Sequence, residues 1–411
     1  MKLHLSAPYR TKIQAGIKIT GSKSESNRLL LLQALFPGIK IENLSNSDDA
    51  EAMKNGLQIN TGTVDIHHAG TAMRFLTAYF ASQENKEVTL TGSQRMTERP
   101  IQVLVDALRE IGADIAYERN AGYPPIRIKG KKLLGGNISL PANISSQYIS
   151  ALLLIAPSLE NGLELELVGK ITSVPYIKMT LGLLSRIDIS NSFEGNTIKV
   201  SPQASVEAGI QVVESDWSSA SYFYSMVSLC DIGTEISLSA YLKDSLQGDS
   251  ILAEIYRDFG VETIYKGHQI ILKKIAGPNG DIFHYDLANA PDIAQTIVVS
   301  CFGMGVGCRL TGLHTLKIKE TDRLEALQVE LTKLGAPISV TDKSLALEPS
   351  GEIGKDIAID TYNDHRMAMA FAPLALKTPL IINDAEVVSK SYPDFWQDMK
   401  SLGFGIRNID I

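Results

Sequence analysis

The strongest constraint on the fold is a helix ending that recurs along the whole chain. Four amphipathic segments end on a hydrophobic residue followed by glycine, at Ile111-Gly112, Phe259-Gly260, Leu334-Gly335 and Leu402-Gly403. Glycine at this place is a helix C-cap signal, because it adopts positive φ without a steric cost. A fifth copy has Ile187 where the glycine belongs, and a weaker sixth copy ends near Leu57. Copies spaced roughly 70 residues apart predict about six repeats.

Two short strand patterns follow most of these helix ends, as at 188–190 with 197–201 and at 262–265 with 269–273. Two adjacent strand patterns predict a hairpin. Each repeat is therefore expected to contain a strand and a helix, a second strand and helix, and a closing hairpin. His67 comes only ten positions after Leu57, so the first repeat has little room for its hairpin.

The length of the chain predicts two domains. A single core stops growing near roughly 250 to 300 residues, and this chain has 411. Six repeats in two domains give three repeats per domain. A polar, serine-rich stretch at 214–219 lies about halfway along the chain and is a plausible boundary.

Composition excludes several classes of function. The formal net charge of −7 argues against a nucleic-acid coat and against binding to an anionic membrane surface. The start of the chain lacks the apolar core of a signal peptide, and the longest apolar runs are too short to span a bilayer. We expect a cytoplasmic protein without nucleic-acid or membrane partners.

The three cysteines, Cys230, Cys301 and Cys308, form neither a CxxC pair nor an even set, and each lies among apolar residues or glycine. We expect buried free thiols. The seven histidines are not grouped with cysteines at ligand spacings. The sequence therefore predicts no metal site and no cofactor.

Small polar and cationic residues gather where several helices are predicted to begin. The stretch 21–28, GSKSESNR, follows a strand pattern and precedes an apolar helix. In the stretch 70–74, Thr71 is a candidate N-cap, and similar groups occur at 95–99, 145–148 and 363–366. Free N–H groups and the helix dipole favour anions at such positions. If the helices are parallel, these ends would face one side of each domain and could clamp a multiply anionic substrate.

The segment 319–323, KETDR, combines two cations, two acids and a helix start. Asp322 is the expected N-cap of the helix that follows. This leaves Lys319, Glu320 and Arg323 available for chemistry.

Together these motifs resemble the 5-enolpyruvylshikimate-3-phosphate synthase family over nearly the whole chain. The resemblance rests on GSKSESNR (21–28), AGTAMR (69–74), RMTERP (95–100), SSQY (145–148), KETDR (319–323), NDHRMAM (363–369) and SKSYPDF (389–395). It implies a two-domain inside-out α/β barrel with three βαβαββ units per domain and a substrate cleft between the domains. The implied domains are 20–216, and 1–19 joined with 217–411.

The resemblance also implies an activity. The family transfers the enolpyruvyl group of phosphoenolpyruvate to the 5-hydroxyl of shikimate 3-phosphate, on the route to chorismate and the aromatic amino acids. We therefore expect these two small molecules as partners, no cofactor, and a monomer.

Site residues follow from the matching motifs. The residues implied to bind shikimate 3-phosphate are Lys23, Ser24, Arg28, Ser145, Ser146, Gln147, Ser173, Tyr176, Asp292 and Lys319. Those implied to bind phosphoenolpyruvate are Lys23, Gly70, Arg95, Gln147, Arg323, Arg366 and Lys390. Asp292 and Glu320 are the acid and base candidates, with Lys23 as a possible assistant, and the step that each serves stays open.

The chain departs from the family pattern near the implied phosphoenolpyruvate pocket. His68 stands where the family commonly has Asn, Phe75 stands where it has Pro, and the first hairpin is shortened. Gly70 keeps the small residue that the family associates with glyphosate binding.

Two alternative functions are also open. A related enolpyruvyl transferase acts on UDP-N-acetylglucosamine and uses a loop cysteine, but no cysteine lies near Arg95. A non-catalytic phospho-ligand binding protein of the same fold would have a disrupted acid/base pair, whereas Asp292 and Glu320 are both present.

Overall fold

The computed structural model describes residues 1–10, 12–142, 144–169, 171 and 174–410. In these residues the strands are β1 Leu3–Ser6, β2 Gln14–Ile17, β3 Ile39–Glu42, β4 Thr61–Asp65, β5 Glu87–Thr91, β6 Asp114–Tyr117, β7 Ile126–Lys129, β8 Gly136–Pro141, β9 Leu163–Val168, β10 Asn191–Glu194, β11 Thr197–Val200, β12 Gly209–Val212, β13 Glu235–Ser239, β14 Val261–Lys266, β15 Gln269–Lys274, β16 Ile282–Asp286, β17 Gly307–Thr311, β18 Ile338–Val340, β19 Leu345–Leu347, β20 Ile357–Ile359, β21 Leu380–Ile382 and β22 Gly405–Asn408. The α-helices are α1 Lys23–Leu35, α2 Asp48–Leu57, α3 Gly70–Ala81, α4 Gln94–Thr97, α5 Gln102–Glu110, α6 Ser146–Ile155, α7 Val174–Arg186, α8 Trp217–Leu229, α9 Leu252–Ile255, α10 Ala294–Met304, α11 Arg323–Lys333, α12 His365–Phe371 and α13 Phe395–Ser401. Among the described helices, none has the length and apolar character needed to cross a membrane.

The chain divides into two compact units. Unit I contains Met1–Thr20 and Glu214–Ile411, and unit II contains Gly21–Val213. The domains predicted from the sequence, 20–216 and 1–19 with 217–411, stay a prediction about which parts fold together.

One strand order recurs in both units. In unit II, β4 is parallel to β5, which is antiparallel to β7, and β6 pairs at the edge with β7. The sheets β8-β9-β11-β10 and β16-β17-β19-β18 have the same order, with the first two strands parallel and the last two forming a hairpin. This is the βαβαββ repeat predicted from the helix endings, and the α/β fold class is confirmed.

The N-terminal segment completes two sheets of unit I. β2 pairs in parallel with β13, so that Gln14 lies opposite Glu235. β1 lies between β21 and β22 and is antiparallel to both. The first seventeen residues therefore supply one opening strand and one closing strand to repeats whose other elements lie after residue 214.

The first repeat is shortened, as the sequence predicted. Its opening strand is β12, which pairs in parallel with β3 and places Gln211 opposite Ile41. After α2 ends at Leu57, the next strand is β4, which already belongs to the following sheet. A two-stranded sheet therefore stands where the other repeats have four strands.

The helices that follow the opening strands form the interior of each unit. In unit II these are α1, α3 and α6, which pack against one another, and in unit I they are α8, α10 and α12. All 13 residues of α8 are buried. The sheets lie outside these helices and bury alternate residues, such as Leu163, Leu165 and Leu167 of β9. Helices inside and sheets outside are the expected inside-out arrangement, and the described sheets remain separate.

The helix endings show one error in the sequence analysis. Gly112, Gly335 and Gly403 have φ of 104°, 95° and 93°, as the C-cap signal requires. The expectation that Ile187 occupies the glycine position is wrong, because the left-handed residue after α7 is Asp188, with φ of 59°. Aspartate tolerates this conformation better than a β-branched residue.

Candidate active site

Arg323, the first residue of α11, is a buried cation of unit I that bonds three carboxylates. Its side chain is 2% exposed. Nε donates to Oδ2 of Asp364 at 2.6 Å, and Nη1 donates to Oδ1 of Asp292 at 2.8 Å. Nη2 donates to Oε2 of Glu320 at 2.8 Å. Burial lowers the pKa of Arg323, but the three carboxylates, Asp364 foremost, outweigh burial and raise that pKa overall. Arg323 thus holds both acid/base candidates in fixed orientations.

The predicted N-cap of α11 is confirmed. Oδ1 of Asp322 accepts the backbone N–H groups of Leu324 and Glu325, both at 3.2 Å. Asp322 therefore fixes the start of α11. Arg323, the first residue of the helix, is buried, and Glu320 lies just before the helix.

Asp292 lies at the centre of a cationic cluster. Its side chain is 10% exposed, and Oδ1 is 3.2 Å from Nζ of Lys319. Nη2 of Arg366 is 3.6 Å from Oδ2, and Nη1 of Arg366 donates to the backbone oxygen of Asp292 at 3.1 Å. Three predicted site cations, Lys319, Arg323 and Arg366, therefore surround one predicted catalytic carboxylate. Positive charges gathered in this way attract anions.

A buried carboxyl that the sequence did not reveal extends this cluster. Nη2 of Arg366 donates to Oγ of Ser218 at 3.3 Å, and Ser218 donates to Asp249 in a short hydrogen bond. Burial raises the pKa of Asp249 to about 6, and the negative charge of Asp292 adds to this effect. The hydrogen bonds connect Asp249 to the cluster through Ser218 and Arg366.

Asp364 organises the start of α12. Its Oδ1 accepts the backbone N–H of Arg366 at 2.9 Å, as an N-cap does. Nζ of Lys390 donates to the backbone oxygen of Asn363 at 2.7 Å. The predicted residue Lys390 thus lies at the turn from which Arg366 projects.

Arg28 is a buried cation of unit II. Nε donates to Oγ1 of Thr180 at 2.8 Å, and Nη2 donates to Oγ of Ser150 at 3.0 Å. Nη1 donates to the backbone oxygen of Ser24 at 2.8 Å, and Nη2 is 3.4 Å from the backbone oxygen of Tyr176. None of these partners is a carboxylate. Burial lowers the pKa of Arg28 to about 10, so the group is still charged at neutral pH.

Lys23 opens α1 and pairs with a carboxylate from the next helix. Its Nζ is 3.3 Å from Oδ2 of Asp49, in the first turn of α2. Both side chains are largely buried, at 22% and 14% exposure. The sequence analysis did not assign Asp49, which orients the Lys23 ammonium.

Gly70 opens α3 beside an arginine. A Cβ at this position would lie 2.6 Å from Nη1 of Arg99, so glycine leaves room for that guanidinium. The expectation that Thr71 caps α3 is wrong, because the helix begins at Gly70 and its N-cap is Ala69. The Thr71 hydroxyl instead accepts a hydrogen bond from Nε2 of Gln147 at 3.1 Å. The structure thus brings the starts of α3 and α6 together.

Arg95 is the most exposed of the predicted arginines, at 65%. Its Nη1 pairs with Oε2 of Glu98 at 3.3 Å. The short helix α4 that carries it is tied to the loop before α3, since Oγ of Ser93 lies 2.8 Å from Nδ1 of His68. Through the described contacts, Arg95 is not brought to the other predicted residues, whereas His68 is anchored to its helix.

The remaining predicted residues of unit II lie at helix starts. Ser145 is the N-cap of α6 and accepts the N–H of Gln147 at 3.4 Å. Ser146 is buried in the first turn of the same helix. Ser173 lies outside the described residues, just before α7. Tyr176 is in the first turn of α7 and contacts Arg28 through its backbone oxygen.

Four residues of this arrangement were missed by the sequence analysis: Asp49, Arg99, Asp249 and Asp364. Asp364 had a signal, because it precedes a helix within a recognised motif. Arg99 lay inside the RMTERP motif but was given no role. No local sequence pattern identifies Asp249, because its partner Ser218 is 31 residues away.

A family model described as EPSP synthase (3-phosphoshikimate 1-carboxyvinyltransferase) matches residues 55–399. A 3-phosphoshikimate 1-carboxyvinyltransferase of Bacteroides fragilis is 47% identical over 99% of both chains. One of Colwellia psychrerythraea is 37% identical over 94% of this chain and 96% of its own. The EPSP synthase structure from Acinetobacter baumannii has a TM-score of 0.79 at 21% identity, covering 99% of this chain and 100% of that one.

Proposed function

Because the chain belongs to the EPSP synthase (3-phosphoshikimate 1-carboxyvinyltransferase) family, we propose that the residues described above carry out the enolpyruvyl transfer of that family. The reaction joins the 5-hydroxyl of shikimate 3-phosphate to the enolpyruvyl group of phosphoenolpyruvate and releases inorganic phosphate. It serves the biosynthesis of aromatic amino acids.

The reaction needs two proton movements. In the addition, the hydroxyl oxygen bonds to C2 of phosphoenolpyruvate while it loses its proton and the methylene C3 gains one. In the elimination, the resulting methyl group loses a proton and the C–O bond to phosphate breaks, which restores the double bond. Asp292 and Glu320 are the groups proposed to give and take these protons, and a positioned acid or base contributes about 10² to 10⁴-fold. Lys23 is proposed to assist.

The observation that carries this proposal is the contact of both carboxylates with one buried guanidinium. Nη1 and Nη2 of Arg323 each donate at 2.8 Å, to Asp292 and Glu320. Because both carboxylates are bound to the same planar guanidinium, the distance between them is fixed. A fixed distance supports proton transfer at neighbouring atoms of one intermediate. Lys319 and Arg366, both against Asp292, supply the positive charge that stabilises a polyanion.

We propose residue roles for shikimate 3-phosphate in each unit. In unit II the proposed residues are Lys23, Ser24, Arg28, Ser145, Ser146, Gln147, Ser173 and Tyr176, and in unit I they are Asp292 and Lys319. Arg28 is held by neutral hydroxyls and carbonyls, so its charge is not neutralised by a bonded carboxylate. This supports a role for Arg28 in attracting the phosphate.

For phosphoenolpyruvate, the proposed residues are Lys23, Gly70, Arg95 and Gln147 in unit II and Arg323, Arg366 and Lys390 in unit I. Guanidinium groups suit both carboxylate and phosphate because their parallel N–H groups bind two oxygens. Each nitrogen of Arg323 already donates to a carboxylate. The side chain of Arg366 is 12% exposed, against 2% for Arg323, which makes Arg366 the stronger candidate for a direct contact.

The test is release of phosphate from purified protein mixed with shikimate 3-phosphate and phosphoenolpyruvate, with the organic product identified by mass spectrometry. We expect phosphate and 5-enolpyruvylshikimate 3-phosphate in equal amounts, only when both substrates are present. A folded protein that binds shikimate 3-phosphate but releases no phosphate would contradict the proposal and favour a binding protein.

The UDP-N-acetylglucosamine reaction is disfavoured by the position of the thiols. Cys230, Cys301 and Cys308 are all buried and free, and all three belong to unit I, whereas Arg95 belongs to unit II. Phosphate release with UDP-N-acetylglucosamine in place of shikimate 3-phosphate should stay at background.

We also propose that the protein acts as a cytoplasmic monomer with the domains 20–216, and 1–19 with 217–411. Light scattering after gel filtration should give a mass near 44.7 kDa, and a mass of twice this value would contradict the monomer.

A further inference from the structure

Glu330 is a fully buried carboxylate on α11, outside the residues given roles so far. Its exposure is 0%. Oε1 accepts from the hydroxyl of Tyr362 at 2.6 Å, and Oε2 accepts from the backbone N–H of Asp360 at 3.2 Å. Nζ of Lys333 donates to both oxygens, at 2.9 and 2.8 Å. The contacts with Tyr362 and Asp360 connect the helix to one segment, 360–362.

Glu330 lies on the same face of α11 as Arg323. The two residues are seven apart, which is about two helical turns. Arg323 bonds Asp364 at 2.6 Å, while Glu330 bonds Tyr362 and Asp360. One rigid helix therefore holds both ends of the segment 360–364.

The held segment contains an unfavourable backbone conformation. Tyr362 and Asn363 are consecutive non-glycine residues with φ of 52° and 60°. Such conformations persist only where surrounding contacts fix them. Glu330 fixes the Tyr362 side chain, and Lys390 bonds the Asn363 backbone oxygen at 2.7 Å. Asp360 is fixed further by Lys333, at 2.8 Å.

The segment leads directly into groups with proposed roles. Asp364 bonds Arg323 through its side chain and caps α12 at the backbone of Arg366. Arg366 then reaches the backbone oxygen of Asp292. A shift of the turn would therefore move Arg366 relative to Asp292.

We propose that Glu330 is a positioning residue for phosphoenolpyruvate: it fixes the turn 360–363 and thereby the placement of Asp364 and Arg366. The inference rests on the proposed function, because the turn has a role in binding only if the site around Asp292 carries out the reaction. Glu330 does not touch the reacting atoms and acts through the turn.

The test is the Glu330→Gln variant, studied by steady-state kinetics with each substrate varied in turn. The amide cannot accept on both sides, so its NH2 group faces Lys333 and, depending on orientation, either the Tyr362 hydroxyl or the backbone N–H of Asp360. We expect the KM for phosphoenolpyruvate to rise about tenfold, because a misplaced Arg366 would lose the equivalent of one hydrogen bond to the substrate. The KM for shikimate 3-phosphate should stay within about twofold, since most of its proposed residues lie in unit II.

Two further variants make the test decisive. Glu348→Gln is the control, because Glu348 is also paired with a cation of unit I, Arg309 at 2.6 Å, but is 55% exposed. It should behave as wild type. Tyr362→Phe removes one hydroxyl from the network. It should raise the phosphoenolpyruvate KM about threefold, a smaller effect, because the lost hydrogen-bond partner is neutral.

The outcomes separate this inference from the proposed function. Wild-type turnover tests the function, and its absence would overturn both. If wild type is active and both variants keep each KM within twofold, the positioning role is refuted. If Glu330→Gln does not fold, Tyr362→Phe alone decides, and equal changes in both KM values would show a merely structural role.

Discussion

The guanidinium carbon of Arg28 lies 5.4 Å from the centre of the Phe75 ring. The ring is fully buried on α3, and the helix runs without interruption from Gly70 to Ala81. Because Arg28 donates to neutral groups, the negative face of this ring is a further source of stabilisation for its charge. Phe75 thus stabilises the charge of Arg28, which is proposed to bind shikimate 3-phosphate.

Replacing Phe75 by leucine should therefore destabilise unit II by more than loss of ring volume alone. A desolvated cation–π contact is worth up to about 2 kcal/mol. We expect Phe75→Leu to reduce the free energy of unfolding by about 1 to 2 kcal/mol more than Phe36→Leu does. Phe36 is a buried ring of the same unit, 5% exposed. Urea unfolding of both variants gives the comparison, and equal losses would show that the cation gains nothing from the ring.

Glu320→Gln should reduce turnover by about 10² to 10⁴-fold, because the amide cannot exchange the proton that the reaction moves. Its oxygen can still accept from Arg323, so affinity for shikimate 3-phosphate should change by only a few-fold. Glu325→Gln, at an exposed position in the helix α11 that follows Glu320, is the control and should keep wild-type turnover. Unchanged turnover in Glu320→Gln would remove this residue from the mechanism.

Arg366→Ala should weaken phosphoenolpyruvate binding by about tenfold or more, as loss of a charge-assisted hydrogen bond predicts. Calorimetry with shikimate 3-phosphate present measures this affinity directly. Arg309→Ala, which removes an arginine paired with exposed Glu348, is the control. Undiminished affinity in Arg366→Ala would count against a direct contact.

Asp249 should make stability depend on pH in an unusual direction. Burial raises the pKa of its carboxyl to about 6, whereas in the unfolded chain the pKa is about 3.9. Between these values the unfolded state releases the proton first, so this group lowers stability as pH rises from about 4 to 6. The Asp249→Asn variant lacks this loss.

The measurement is urea unfolding of wild type and Asp249→Asn at pH 4.5 and 7. Relative to wild type, the variant should gain about 2 kcal/mol on going to the higher pH. Asp258→Asn, a change at an exposed carboxylate of the same unit, should show no such gain. A difference between wild type and Asp249→Asn that does not vary with pH would mean that Asp249 is ionised throughout.

Local signals in the sequence predicted the repeats well. The helix end at Gly112 was predictable because it depends on one residue that can adopt positive φ. The missing hairpin of the first repeat was predictable because it depends only on the number of residues available. The error at Ile187 was a shift of one residue, made because aspartate can replace glycine in the left-handed conformation.

Long-range contacts in the site could not be predicted in this way. Arg28 donates hydrogen bonds to Ser150 and Thr180, which lie 122 and 152 residues away in the sequence. Which hydroxyls surround a buried cation is decided by the packing of α1, α6 and α7, and no local pattern encodes it. The motifs identified Arg28 through resemblance, but not the neutral groups that accept its hydrogen bonds.

Gly70 offers a final test, because its lack of a side chain is coupled to Arg99. In Gly70→Ala the new Cβ would lie 2.6 Å from Nη1 and 3.1 Å from Nη2 of Arg99. The obstructing atoms are the end of a flexible side chain, so the guanidinium can move and stability should change by less than about 1 kcal/mol. The displaced guanidinium would alter the charge at the start of α3. We expect the KM for phosphoenolpyruvate to rise about tenfold, as loss of one charged partner predicts.

A double-mutant cycle with Arg99→Ala shows whether the arginine transmits this effect. If Gly70→Ala acts by displacing Arg99, the double variant should bind phosphoenolpyruvate no more weakly than Arg99→Ala alone, because the displaced group is already absent. If the two losses add, the alanine methyl group acts directly on the substrate and Arg99 is a bystander. Both single variants should keep their affinity for shikimate 3-phosphate within about twofold, since the substitutions leave the Arg28 contacts with Ser150 and Thr180 intact.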